Sequence, residues 1–258
     1  APMVSANVNP LLELDIRKRF YSGGIKINTS ITNEANFNSD GELLGDEKWR
    51  GHLYGKGLFA ISPEWQWGFG VETQTDDLYD RRYDLDGQGE RRGLYSSQPR
   101  RLLSQVFAVG QGDSYYADAS VLSFQGLRED DTDGALPTVA PVFFGEKYWD
   151  LGDYGFAAVN ASSAMLTREV GADSQRVSVG GDWSNLTVLP GGFTFKPFAE
   201  IRADYYALDE AVSGEPDVSR AVGNAGVKIA YPLVRPGKVV DIMVEPTIMA
   251  AWGFSNAN

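Results

Sequence analysis

Trp65-Gln66-Trp67-Gly68-Phe69-Gly70-Val71-Glu72 decides what kind of secondary structure this chain uses. Trp65, Trp67, Phe69 and Val71 fall on alternate positions, with Gln66, Gly68, Gly70 and Glu72 between them. A helix would space its apolar residues three and four apart. An apolar residue at every second place puts them all on one face of a strand. The period returns at 193–206, where Phe193, Phe195, Ala199, Ile201, Ala203 and Tyr205 oppose Lys196, Glu200, Arg202 and Asp204. At 240–254, Val240, Ile242, Val244, Pro246, Ile248, Ala250, Trp252 and Phe254 share one face, against Asp241, Glu245 and Thr247. Each segment reads as a strand with one apolar and one strongly polar face.

Turn residues divide the chain into about twelve such segments: 11–20, 24–34, 48–61, 64–77, 100–110, 114–126, 138–149, 154–168, 174–188, 192–206, 220–234 and 239–254. Short turns follow every odd segment: Tyr21-Ser22-Gly23, Ser62-Pro63, Gln111-Gly112-Asp113, Leu151-Gly152-Asp153, Pro190-Gly191 and Arg235-Pro236-Gly237-Lys238. Longer polar connections mostly follow the even ones, at 35–47, 78–99, 127–137, 169–173 and 207–219, with 169–173 the short exception. A meander of this kind has tight turns at one end and long loops at the other. Bacterial outer-membrane barrels are built so, with periplasmic turns and external loops.

Alternation alone also suits a soluble β-sandwich, which buries one face of each sheet. Many of these segments run 11 to 16 residues, beyond the mode of about 5–6 in soluble proteins. Aromatics gather near strand ends, as Trp49, Trp65, Trp67, Tyr148, Trp149, Phe193 and Trp252 do, which suits the girdles of a membrane barrel. Charges persist to mid-strand on the polar faces, as a wet lumen allows. The reading is all-β: an antiparallel up-and-down transmembrane β-barrel, about twelve strands of a larger one.

Composition excludes several classes. The formal net charge of −12 opposes binding to nucleic acid or anionic membrane surfaces. Cysteine is absent, which removes disulfides, thiolate metal sites and cysteine nucleophiles. No stretch approaches the roughly 18 apolar residues of a membrane helix. The start, Ala1-Pro2-Met3-Val4-Ser5, lacks the basic and apolar regions of a signal peptide. With no initial methionine and an end inside an apolar strand, residues 1–258 read as an internal piece, a partial outer-membrane barrel domain.

Several segments resemble the barrel domain of the LptD (OstA/Imp) family of lipopolysaccharide-assembly proteins, especially its alphaproteobacterial form. They are Gly51-His52-Leu53-Tyr54-Gly55-Lys56-Gly57-Leu58-Phe59 running into Trp65-Gln66-Trp67-Gly68-Phe69, then Thr75-Asp76-Asp77-Leu78-Tyr79-Asp80-Arg81-Arg82-Tyr83. Ser123-Phe124-Gln125-Gly126-Leu127-Arg128, Arg176-Val177-Ser178-Val179, Tyr231-Pro232-Leu233-Val234-Arg235-Pro236 and Val244-Glu245-Pro246 follow in the family's order. The resemblance implies a non-enzymatic outer-membrane translocon component of a Gram-negative bacterium, assembling lipopolysaccharide (LPS) into the outer leaflet without a cofactor. It implies an LptE-type lipoprotein plug as partner, and an LptA-type periplasmic bridge reached through a jelly-roll. That jelly-roll and the terminal barrel strands that form the lateral opening are not expected within this piece, and the family's structural cysteines have no counterpart here. The rival readings are another outer-membrane barrel, a porin or receptor, and a soluble all-β carbohydrate-binding or carbohydrate-active protein.

Under the barrel reading the expected lumen-facing residues are Gln66, Glu72, Arg176, Asp182, Lys196, Glu200, Arg202, Asp204, Asp241 and Glu245. The expected lipid-facing residues are Trp65, Trp67, Phe69, Val71, Phe193, Phe195, Ile201, Val240, Ile242, Val244, Ile248 and Trp252. For each polar residue the plainer role is a solvated wall or a structural ion pair; the sharper one is contact with the plug or with sugars. His52 is the only histidine, so Ser–His–Asp chemistry would depend on it. Asp76, Asp77, Asp80, Asp84 and Asp86 could supply paired carboxylates, but read more simply as a solvated acidic loop. Glu129-Asp130-Asp131-Thr132-Asp133-Gly134 departs from a calcium loop, having Glu at its first place and Ala140 where the bidentate Glu belongs. Looser divalent-cation binding by acidic loops stays open. Asn28-Thr29-Ser30 and Asn185-Leu186-Thr187 match a glycosylation pattern but fall in expected strands. Gly51, Gly55 and Gly57 lack the strand–turn–helix context of nucleotide binding. Pro232, Pro236 and Pro246 read as a bulge near a turn, or as weakened pairing beside a plug.

One outcome follows from the strand count alone. An unclosed run of strands leaves two long unpaired edges, so residues 1–258 by themselves in plain buffer should not give a monomeric, cooperatively unfolding species. Sedimentation and thermal melting would show it, and a well-behaved soluble monomer would exclude the membrane reading.

Overall fold

The computed structural model describes residues 2–5, 8–38, 40, 42–83, 85, 90–128, 131, 133–209, 217–237 and 240–257. Strands dominate: β1 (Pro2–Ser5), β2 (Val8–Phe20), β3 (Gly23–Phe37), β4 (Leu43–Ala60), β5 (Trp65–Gln74), β6 (Arg101–Gly112), β7 (Tyr115–Gly126), β8 (Thr138–Asp150) and β9 (Phe156–Thr167). Then come β10 (Ser174–Ser184), β11 (Thr187–Val188), β12 (Thr194–Leu208), β13 (Asp217–Ala230), β14 (Leu233–Arg235), β15 (Ile242–Val244) and β16 (Thr247–Ala257). Neighbours in the main sheet follow chain order from β1 to β10, then β12, β13 and β16, with β11 pairing β12 and with β14–β15 a separate two-stranded sheet. This is the expected antiparallel up-and-down meander.

The described chain falls into two compact units. One comprises Ala1–Gln111, Asp118–Val142 and Ala164–Asp173; the other comprises Gly112–Ala117, Phe143–Ser163 and Ser174–Asn258. In the first, β3 and β4 pair from Gly23↔Phe59 to Ala35↔Glu47 before the register shifts. Strand pairing sets which side chains share a face, because a slip of one residue would invert them all. Leu12, Leu14, Ile16 and Phe20 of β2 lie beside Ile31, Thr29, Ile27 and Gly23 of β3. These continue into Trp49, Leu53 and Phe59 of β4, then Thr73, Val71, Phe69 and Trp67 of β5, and Val106 and Ala108 of β6. That face is apolar, and Leu12, Leu14, Leu53, Trp67 and Val106 on it are exposed.

Aromatic rings mark both ends of this face. Phe59 stacks on Trp67 with centroids 5.0 Å apart, and Phe20 lies 5.9 Å from Phe59. Trp49 stands ten residues earlier on the same strand as Phe59. Ten steps of about 3.4 Å, tilted about 40°, rise about 26 Å, against an apolar band of about 25 Å on an outer-membrane barrel. Gly57 makes room for this packing: a Cβ there would meet Phe69 Cε1 at 2.4 Å.

The opposite face of the first unit carries its buried core. Segment 75–100 does not stand out as an external acidic loop. Its described residues form a short helix α1 (Tyr79–Tyr83) and lie against the polar face. Leu11 buries with Tyr79, Tyr83 and Leu85; Tyr54 buries with Leu102 and Leu127; Leu103, Leu122 and Val139 form a third cluster. The expectation of a solvated loop fails at Asp76, which pairs with Arg50 of β4, and at Asp80, which is buried. Asp84 and Asp86 of that loop lie outside the described residues, as do Glu129, Asp130 and Thr132 of the calcium-like stretch and Lys238 of the 235–238 turn.

In the second unit β10, β12, β13 and β16 pair in continuous register. Two expected strands are corrected here. Segment 174–188 breaks at Asn185–Leu186, opposite Pro197, whose carbonyl accepts the Asn185 N–H at 3.2 Å. The N and C=O of a strand residue point the same way, so proline has no N–H to offer at that gap. Segment 239–254 is not one strand either. Ala230 pairs Thr247, the Tyr231 N–H donates to the Pro246 carbonyl at 3.0 Å, and the chain between them leaves the ladder as the β14–β15 hairpin. Pro232, Pro236 and Pro246 sit at its boundaries and turn, where no ladder N–H is asked of them. At the β8–β9 turn, Gly152 supplies a φ of +62°, which side chains with a Cβ resist.

If the apolar face meets lipid, charge tolerance must depend on depth. Leu53→Arg, in mid-band, should cost about 2–4 kcal/mol of folding free energy in lipid vesicles, and Trp49→Arg at the rim no more than about 1 kcal/mol. Urea titration of the full-length protein in vesicles reads both. Equal costs at the two depths would exclude a lipid-facing band.

Candidate functional site

The polar face of the first unit is built by strand register. Glu13 of β2 lies beside Ser30 of β3, which lies beside His52 of β4, which lies beside Gln74 of β5. One residue pair along, Asp15, Asn28, Tyr54 and Glu72 form the next row. Alternation has thus stacked polar groups from four strands on one surface, which then needs hydrogen-bond partners wherever it is covered.

His52 shows how that need is met. Its Nε2 lies 2.7 Å from Asn28 Oδ1, its Nδ1 lies 2.6 Å from Ser30 Oγ, and Ser30 Oγ lies 2.8 Å from the Tyr79 hydroxyl. The Asn28 amide nitrogen donates to Glu13 Oε1 at 2.7 Å, which fixes Asn28 Oδ1 as an acceptor. His52 Nε2 must therefore carry the proton, Nδ1 must accept from Ser30, and Ser30 must accept from Tyr79. A neutral imidazole completes a one-way chain of hydrogen bonds from α1 to β2. Both ring nitrogens are committed and the ring is buried, 4.5 Å from Tyr54. His52 here joins strands to the covering segment and has no nitrogen left to serve as a general base.

Ion pairs hold the rest of segment 75–100. Arg50, fully buried, donates through Nε to Asp76 Oδ2 at 2.8 Å and through Nη1 to the Ala35 carbonyl at 3.0 Å. Glu34 accepts from Arg82 at 3.2 Å and from the Tyr83 hydroxyl. Glu72 accepts from Arg92 at 2.7 Å and from the Leu103 N–H at 3.1 Å. The Gln105 side chain donates to the Tyr95 carbonyl at 2.8 Å and accepts its N–H at 3.1 Å. Glu90 takes Lys56 at 2.6 Å and Lys26 at 3.2 Å. The Lys56 ammonium, with Lys26 beside it, holds the Glu90 carboxyl below its ordinary range. Burial pushes the Asp80 carboxyl the other way.

In the second unit Arg176, Asp182, Lys196, Glu200, Arg202 and Asp204 share one face of β10, β12 and β13. Asp204 is buried at its centre, accepting from Ser178 at 2.5 Å, Arg220 at 2.7 Å and Arg202 at 2.9 Å. Glu200 accepts from Asn224 at 3.1 Å. Phe195, Ile201, Ile248 and Trp252 fall on the opposite face, Phe195 in one row with Ile229 and Ile248. Among the expected site residues, Glu72 is buried while Gln66 is exposed in the first unit. Trp65, Trp67, Phe69 and Val71 lie together on the apolar face there.

The correction to 239–254 scatters the remainder. Val240, Ile242 and Val244 belong to the hairpin excursion rather than to β16, and Asp241 accepts the Gly237 N–H at 3.0 Å. Glu245 instead meets Lys228 of β13 at 3.1 Å. Phe193 precedes β12, its ring 4.6 Å from Tyr231. Sequence reading missed Ser30, Glu34, Arg50, Tyr79, Glu90 and Arg92. Their alternation was visible, but nothing local shows that Arg50 and Asp76, or Glu34 and Arg82, face each other. Among the described residues no cluster of His, Asp or Glu is arranged to hold a metal ion, and no helix is long and apolar enough to cross a membrane.

A model of the family described as LptD, LPS transport system D, matches residues 48–252, from within β4 to within β16. No curated protein matches the chain.

Two outcomes test the covering network. Arg92→Ala leaves Glu72 buried without its cation, which should destabilise the docked segment by about 3–5 kcal/mol while the strand ladder persists; hydrogen exchange of the 90–95 amides would report it. Unchanged protection there would mean that Arg92 holds nothing. For Glu90 the folded-state carboxyl is depressed, so its contribution is present above the ordinary value of 4.5 and is lost as pH falls through the folded value. Protection factors of the same amides should therefore drop on acidification below about pH 4.5, and Glu90→Gln should flatten that dependence.

Proposed function

The chain belongs to the LptD family, and we propose that it forms part of the outer-membrane translocon that places LPS in the outer leaflet. The family acts in LPS transport at the outer membrane of Gram-negative bacteria. The match over residues 48–252 carries the reading, since it covers the two-faced strands of both units. The all-β meander supports it, with its apolar face bounded by aromatic rings.

On this reading each unit has a polar face that lines a wet interior, with Glu72 in the first and Asp182, Lys196, Glu200, Arg202 and Asp204 in the second. Each also has an apolar face that meets lipid, with Trp67 and Phe69 in the first and Ile201, Ile248 and Trp252 in the second. Backbone amides in hydrocarbon must all be paired, and long continuous ladders do that. Sugar hydroxyls and phosphates, which lipid cannot solvate, find hydrogen-bonding groups along the polar wall. Segment 75–100, docked through its own ion pairs, narrows the interior without a separate domain and so opposes leakage. The transport itself makes and breaks no covalent bond, so a catalytic constellation is not required. An LptE-type lipoprotein plug and an LptA-type bridge, acting through a jelly-roll elsewhere in the protein, are the partners this role calls for.

Depleting the full-length protein from its host should remove LPS from the surface of intact cells, as antibody staining would show, and re-expression should restore it. Undiminished staining after depletion would end the reading. Photo-crosslinkers give the wall its orientation: at Glu200 one should capture LPS or the lipoprotein, and at Ile201, one residue away, bulk lipid.

A further inference from the structure

A cavity of about 620 Å³ lies within the first unit, between the polar face of its strands and residues 91–94. Its walls carry Arg17 and Arg19 from β2, Lys26 from β3, Lys56 from β4, and Arg91 and Arg92 from the covering segment. Among the described residues three carboxylates meet these six cations: Asp15 on Arg17, Glu90 on Lys26 and Lys56, and Glu72 on Arg92. An excess of positive charge is thus concentrated in one place on a chain whose formal net charge is −12.

Two of the cations stand out. Arg91 donates Nε and Nη2 to the carbonyls of Gly93 and Leu94, at 2.9 and 2.7 Å, so its guanidinium is oriented by its own backbone, and it meets no carboxylate among the described residues. Arg19 meets no carboxylate among the described residues. Planar guanidiniums in a concave setting are suited to phosphate, which accepts several charge-assisted bonds at once. Leu58, Leu94 and Phe107 complete the lining, and a small inorganic anion would have no use for that apolar surface.

We propose that this cavity binds the phosphorylated headgroup of an amphiphile, its phosphate among Arg17, Arg19 and Arg91 and its adjoining apolar part against Leu58, Leu94 and Phe107. Its place in the fold agrees: it lies beside the β2–β3 and β4–β5 turns, the short-turn end that faces the periplasm in outer-membrane barrels. The assignment of the amphiphile to the phosphorylated glycolipid anchor of LPS rests on the transport reading above.

The test uses the full-length protein with its co-purifying partners in lipid nanodiscs. The probes are bisphosphorylated lipid A, the same lipid with its phosphates removed, and inorganic phosphate. Lipid A should bind, the dephosphorylated lipid at least about tenfold more weakly, and Arg19→Gln with Arg91→Gln should abolish that preference. Heat-modifiable mobility on gels verifies that the double variant has folded. Should it not fold, Arg91→Gln alone serves, because Arg91 is exposed and its hydrogen bonds go to the carbonyls of Gly93 and Leu94, outside the strands. Equal binding of the two lipids, or a preference that survives the arginine changes, overturns the proposal. Inorganic phosphate that binds as tightly as lipid A overturns its amphiphile half. Loss of cavity binding with surface LPS intact would discard this site and leave the transport role standing.

Discussion

A backbone that crosses hydrocarbon cannot leave an N–H or a C=O unpaired, and the rest of this structure follows from that requirement. It makes the strands long, so that β3 and β4 run hydrogen-bonded through most of their lengths. It makes register strict, because side chains alternate and a slip would expose charge to lipid. It also governs where proline is tolerated. Pro197 faces the gap between β10 and β11, and the three prolines around β14–β15 lie off the ladder. Glycine answers a different need, the close approach of rings such as Phe69 over Gly57 on the apolar face.

The second consequence is a polar face that must be satisfied by something other than lipid. The two units do this differently. In the first, the chain itself returns through segment 75–100 and meets Ser30, Glu34, Arg50 and Glu72 with complementary groups. Burying such pairs contributes little net stability by itself, since desolvation offsets attraction. What it supplies is uniqueness of docking: a displaced segment would strand several charges at once. In the second unit the arginines around Asp204 stay half exposed, and among the described residues one carboxylate only partly offsets their charge. That surface remains open to water.

The strands were legible in the sequence because their signal is local. Period-2 alternation at 65–72 or 193–206 needs no knowledge of a partner, and Gly-Asp or Pro-Gly pairs announce turns wherever they stand. Most strand limits followed to within a few residues. The segment 75–100 was not legible for the opposite reason. Five aspartates in a loop look the same whether they face water or an arginine on β4, and the choice between these is made by residues some 26 positions away, as with Arg50 and Asp76. The misjudged strand at 239–254 has a third cause: its alternation is real, but Pro246 divides it between two sheets. Of the candidate residues, Arg176 and Asp182 of β10 share a face with Lys196, Glu200, Arg202 and Asp204 of β12 because register preserves parity, while Val240 and Asp241 fall outside that ladder, in the excursion.

That excursion has a consequence for how the chain can vary. The pairing of β13 with β16 is already closed at Ala230↔Thr247 and by the Tyr231–Pro246 hydrogen bond. Everything between lies beyond the closure and takes no part in aligning the two strands. Residues can be inserted or deleted around 236–241 without shifting any side chain from one face of the wall to the other, since parity is fixed before the chain departs and after it returns. The hairpin is thus a place where length is free to drift over evolution, and a natural position for grafting an epitope or reporter peptide, while a single added residue in β13 itself would invert half a strand.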